Sequence, residues 1–173
     1  MEEVKDKGTM QGHIEVEHWR NGKLIGVSKT IPHNLIYNAG LDHILNSTFH
    51  NDASATWYVL LYNTNTTPVA THTYGSKSFT EDTDYSSATR PEYVEAAASS
   101  QSMTNAANKA VFTIVTGGQT IYGVALVDDS TKGDSAASGA VMMCGGLITP
   151  ARAVVAADVL NVTYVLGQAD DGA

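Results

Sequence analysis

The stretch Ser54-Ala55-Thr56-Trp57-Tyr58-Val59-Leu60-Leu61-Tyr62-Asn63 is the most apolar and aromatic window of the chain. Its apolar run lies between polar turn residues and has the length of a strand rather than of a helix. On a strand, Trp57, Val59 and Leu61 share one face, and Tyr58, Leu60 and Tyr62 share the other. Left in water, either face would be a large apolar patch. The stretch therefore reads as a central strand buried on both sides. The rival reading is an aromatic platform for a sugar ring, built from Trp57 and Tyr58 with Trp19.

Upstream, HIEVEHW and KLIGVSKTI flank Arg20-Asn21-Gly22-Lys23. Asn-Gly between two β-type runs predicts a tight hairpin, because a type I′ turn needs positive φ at both central residues. Ile14 and Val16 alternate with Glu15 and Glu17, so this strand has one buried face and one wet face. Pro32 ends the hairpin. Leu35, Ile36, Leu41, Ile44, Leu45 and Phe49 then recur at mixed spacings of three and four, which predicts a short helix. Asn38 is its expected N-cap, and its end falls near His50-Asn51-Asp52.

Downstream, residues 63–80 read as a long Thr- and Asn-rich loop with room for one helical turn. EYVEAA, SMTN, KAVFTIV, QTIYGVALVDD, AVMMCGGL and DVLNVTYVLG read as strands. Gly117-Gly118 supplies a turn, Gly123 marks a bulge or close approach, and Gly145-Gly146 is expected to break its strand. About eight short strands with Gly, Asn and Pro turns, and no βαβ alternation, predict an all-β fold. The expected form is an antiparallel β-sandwich or a jelly-roll-like barrel with one short helix. The expected organisation is a flexible N-terminal arm over residues 1–11, a single sandwich domain over 12–167 and a frayed tail over 168–173.

The chain has 173 residues, 43% hydrophobic and only 16% charged, with a net charge of −8. That length suits one domain with an adequate core. The ten Lys and Arg are scattered, which argues against the basic stripe of a nucleic-acid partner. No apolar run approaches a bilayer span, and no secretory h-region opens the chain. The single cysteine, Cys144, sits in VMMCGGLI and reads as a small buried hydrophobe.

Chemistry-bearing patterns are sparse. His13 and His18 fall on opposite faces of one strand, and His43 and His50 lie two helical turns apart, so neither pair has zinc-ligand spacing. Glu81-Asp82-Thr83-Asp84 and Asp128-Asp129 lack the EF-hand spacing of a calcium loop and read as solvated acidic turns. No G-x-S-x-G elbow occurs. Nothing distinguishes Glu81, Glu92 and Glu95 as a glycosidase pair. The expectation is a non-enzymatic protein without cofactors.

Three stretches together carry a resemblance. They are Pro32-His33-Asn34-Leu35-Ile36 leading through Gly40-Leu41 and Thr48-Phe49-His50 to Thr56-Trp57-Tyr58-Val59; Tyr85-Ser86-Ser87-Ala88-Thr89-Arg90-Pro91-Glu92-Tyr93; and Asp158-Val159-Leu160-Asn161-Val162-Thr163-Tyr164, with Ser130-Thr131-Lys132-Gly133 between the last two. The set resembles a group of tailed-bacteriophage virion proteins and spans most of residues 32–166. The resemblance implies a structural protein of the virion, assembled in the host cytoplasm. A capsid decoration or cement protein, homo-oligomeric and bound to the major capsid protein, is the leading expectation. A tail or neck component is the alternative, and a carbohydrate-binding module the second alternative. Neither nucleic acid nor membrane is an expected partner. Val4, Met10, His13 and Arg90 are the candidate contact residues, Arg90 as a buried or interface ion-pair partner to Glu92 or an acidic loop.

Overall fold

A computed structural model describes residues 9–32, 34–50, 52–133 and 139–169. The hairpin forms as its turn chemistry requires. Strands β1 (Thr9–Arg20) and β2 (Lys23–Lys29) flank Asn21 and Gly22, whose φ values are +51° and +72°. The short strand β3 (Leu35–Ile36) leads into α1 (Asn38–Phe49), followed by β4 (Tyr58–Tyr62). A single 3-10 turn, Tyr74–Ser76, interrupts the long loop. The remaining strands are β5 (Ser102–Thr104), β6 (Ala110–Thr113), β7 (Gly117–Val127), β8 (Met142–Val155) and β9 (Val159–Ala169).

These strands form one curled antiparallel sheet in the order β4-β7-β8-β2-β1-β9-β5, with β3 added to β8 and β6 to β9. β2 touches β8 through one paired position, Lys29 with Thr149. The sheet folds over at that narrow seam, so its two halves face each other as a sandwich. Between them lies the main core. Ile14 and Val16 of β1, Phe112 of β6, and Leu160, Val162 and Tyr164 of β9 meet Val59, Leu61, Ile121, Val124, Leu126 and Ile148 of the other half. Each such side chain contributes roughly 1.5–3 kcal/mol by leaving water.

β4 answers the question its sequence poses. Val59 and Leu61 enter the main core, whereas Leu60 and Tyr62 enter a second core on the opposite face of the sheet. All four are fully buried. The second core exists because the 63–80 loop and the start of α1 lie over that face and supply Tyr37, Tyr74 and Phe79. The molecule thus has three layers, and β4 belongs to the middle one.

Several sequence expectations change. Thr9, Met10 and Gln11 belong to β1 and pair with Ala169, Gln168 and Gly167. Residues 9–11 therefore belong to the sheet rather than to an arm, and the strand runs on through residues 168 and 169; residues 1–8 and 170–173 of the expected arm and tail lie outside the described residues. α1 has Tyr37, not Asn38, at its N-cap, and no side chain caps it; Tyr37 is extended and fully buried, leaving Asn38 as the first helical residue. EYVEAA is not a regular strand. The segment pairs locally with β4, through Val59 N–H to Pro91 O and Tyr93 N–H to Trp57 O, at 2.9 and 2.8 Å. Gly145-Gly146 does not break β8. Added Cβ atoms there would crowd the Tyr37 hydroxyl, Thr30 and Asn34, so small residues let neighbouring layers close on an unbroken strand. Gly123 serves both expected purposes: the β7–β8 register shifts beside it, and the Tyr62 ring occupies the space of a side chain.

Candidate functional site

Two stretches that carry the resemblance meet in space. Arg90, within the Tyr85–Tyr93 stretch, is fully buried. Its Nε and Nη2 donate to Oε1 and Oε2 of Glu81 at 2.8 and 2.7 Å. Nη1 donates to the carbonyl of Asp129 and Nη2 also to the Tyr74 hydroxyl, both at 2.6 Å. Its backbone N–H donates to Ser130 O at 2.8 Å. Glu81 accepts in turn from the Gly133 N–H at 2.8 Å. Lys132 completes the junction from the other side, donating to the carbonyls of Thr83, Tyr85 and Ser87 at 3.3, 2.9 and 2.8 Å. Its ammonium lies over an aromatic face, 4.4 Å from the Tyr85 ring centroid.

The geometry is that of a bidentate fork whose remaining protons reach carbonyl and hydroxyl oxygens. Burial lowers the pKa of a guanidinium, but the Glu81 carboxylate outweighs it and the net shift of Arg90 is upward. The junction ties the 81–91 segment to the loop after β7. Arg90 is therefore an internal ion-pair partner. Of the two expected partners, Glu92 or an acidic loop, it takes the acidic loop, through Glu81, and it does so as a buried side chain.

The acidic stretch is likewise not a solvated turn. Asp82 is buried, and burial pushes its carboxyl pKa up. The Asp84 carboxylate accepts from the backbone of Thr116 and Gly117 and from Gln119 Nε2. Its own desolvation raises its pKa, but these donors together outweigh that effect, and the net shift is downward. An acidic turn reads as solvated when only local sequence is visible; here the donors come from more than thirty residues away.

A second polar node lies at the β8–β9 turn. Asp158 is fully buried. It accepts from Arg20 Nε and Nη2, each at 2.8 Å, and from the Val155 N–H at 2.9 Å, and it lies 2.7 Å from His18 Nε2. The Arg20 hydrogen bonds lead in holding its carboxyl well below the usual carboxylate range, against the opposing effect of burial. The node pins the far end of the hairpin to the start of β9. Sequence reading missed it because Asp158 is 140 residues from His18.

The outward side of β1 and β9 is polar. His13 is exposed there and lines two shallow hollows of about 310 and 390 Å³. Glu15, Lys29 and Thr163 border the first; Gln11, Ser102 and Gln168 border the second. Of the other candidate contact residues, Met10 is half-buried and packs against the main core, and Val4 lies outside the described residues. The described candidates are therefore dispersed, and of Met10, His13 and Arg90 only His13 stands on an open face.

The sugar platform does not assemble either. Trp57 is half-buried at the core margin, edge-on to His43 with 5.2 Å between centroids. Trp19 lies on β1, with its Nε1 donating to Glu17 at 3.1 Å, while Tyr58 faces the second core. Cys144 is buried, and burial pushes its thiol pKa up to about 12. Among the described residues no group of three or more His, Cys, Asp or Glu side chains is placed to hold a metal ion. No helix among them is long and apolar enough to cross a membrane. In comparisons with known proteins, the chain matches no family model and no curated protein.

Proposed function

We propose that the chain is a non-enzymatic structural protein of a tailed-bacteriophage virion, a capsid decoration or cement protein. In this reading it binds the outer face of the major capsid protein and bridges neighbouring subunits to stiffen the head. The observation that carries the proposal is the use made of the resemblance motifs. Arg90 and Lys132, the two cations of Tyr85–Tyr93 and Ser130–Gly133, are spent on internal bonds to Glu81 and to loop carbonyls. Asp158, which opens the last motif, is spent on Arg20 and His18. Motif residues used this way serve architecture, the property a particle component needs.

Low charge fits the same reading, because a protein packed among copies and capsid subunits covers much of its Ala, Ser and Thr surface. The test is copy number per purified particle, by quantitative mass spectrometry against the major capsid protein. A fixed, high ratio to the capsid protein is the expected result. A few copies per particle would move the protein to the tail or neck, and absence from the particle would overturn the virion reading.

A further inference from the structure

α1 spans twelve residues, a length at which helices in water are marginal on propensity alone. It has no side-chain N-cap, no acidic residue in its first turn and no basic residue in its last. Its stability must come from packing, yet its inner side offers little. Gly40 is its one buried residue, set against the Met143 backbone, Ile44 reaches the margin of the main core, and the His43 ring meets Trp57 edge-on.

The opposite side carries Leu41, Leu45 and Phe49, which are 41%, 56% and 82% exposed. Steps of four residues place them in one row, about 12 Å long from end to end. Asp42 is the sole Asp, Glu, Lys or Arg between Asn38 and Phe49. A strongly charged partner finds no counter-charge here. For a chain with a net charge of −8, this nearly neutral strip is a surface over which two copies approach without like-charge repulsion.

The row is also symmetric about Leu45. Reversing the helix carries Leu41 onto the place of Phe49 and leaves Leu45 on itself, which is the self-complementarity a two-fold axis demands. We propose that a second copy of this chain covers α1, by antiparallel α1–α1 pairing about a two-fold axis at Leu45. Three side chains make less than the ~800 Å² per partner of a standard interface, so the pairing is weak in solution and gains strength where copies are held side by side. This inference does not depend on the virion reading.

Oxidative cross-linking of Leu45→Cys in the full chain tests the axis directly. The native Cys144 is buried and does not compete. Disulfide dimers are expected with Leu45→Cys and far fewer with Leu41→Cys, whose two copies would sit about 12 Å apart across the axis, beyond disulfide reach. Equal yields at both positions would mean random collision and overturn the proposal. Sedimentation velocity up to about 1 mM, a range suited to a weak interface, supplies the second reading. The expected rise in sedimentation coefficient with concentration disappears in Phe49→Glu and persists in the surface control Ile31→Glu. A monomer at every concentration, or a dimer that survives Phe49→Glu, would overturn the pairing.

Discussion

Arg90 heads the fully buried side chains of the described residues by volume, and its environment sets what substitution does. Arg90→Ala strands the Glu81 carboxylate without its fork, and breaking a buried pair from one side destabilises by about 3–5 kcal/mol. Urea unfolding midpoints check this, with Arg90→Lys expected to rescue little because an ammonium cannot reproduce the bidentate geometry. At Asp158 the folded pKa lies below the unfolded one. Its contribution is thus complete above the unfolded value, near about 4, and is lost as pH falls through the lowered folded value. Asp158→Asn should unfold more readily at neutral pH and show a flatter loss of stability on acidification, read from unfolding midpoints across the acid range. The Arg-Pro pair flagged Arg90 for attention and an acidic loop was one expected partner, but nothing local chose Glu81 over Glu92 or added the Asp129 carbonyl. That information lies in which loops the sheet brings together.

Elements follow their own sequence where one face decides the matter. The period-two pattern of Ile14 and Val16 persists through β1, and that of Leu160, Val162 and Tyr164 through β9, because an apolar residue turned outward would lose its burial. Glycines behave differently, since their meaning depends on what lies opposite. In an ordinary helix Gly→Ala stabilises by roughly 0.5–1 kcal/mol. At Gly40 the added methyl would meet the Met143 carbonyl, so Gly40→Ala is expected to destabilise. Thermal unfolding of the variant checks the sign. Segment 92–97 illustrates the opposite failure. Its residues suit a strand, but after the Glu92 bridge to Tyr58 Tyr93 turns inward against Tyr164, 5.9 Å between ring centroids, and the ladder ends.

At the scale of the molecule, both chain ends of the described fold share one strand pair. Thr9, Met10 and Gln11 face Ala169, Gln168 and Gly167. Truncation of residues 1–8 leaves those three pairs in the chain. Truncation of 1–11 removes them along with the Met10 contact to the core, and should lower the unfolding midpoint. In the virion reading, particle binding that falls in the shorter truncation would assign the tether to residues 1–8; unchanged binding would sink the arm as a tether. Sealing of the core predicts a further behaviour. Cys144 should resist thiol reagents at pH 8 in the native state and react at the rate of unfolding, because burial raises its pKa to about 12.

By itself the amino-acid sequence determined the all-β class, the Asn21-Gly22 hairpin, the presence and the end of α1, though not its start after the Leu35–Ile36 strand, and the double burial of β4. Each rests on short-range physics: turn dihedrals, side-chain periodicity and the length of apolar runs. Only the tertiary structure decided that Arg90 pairs inward with Glu81, that His18 and Arg20 converge on Asp158, and that Leu41, Leu45 and Phe49 face away from the body. Those outcomes depend on which distant segments the curled sheet brings into contact and which faces it leaves open, and a linear pattern carries no record of either.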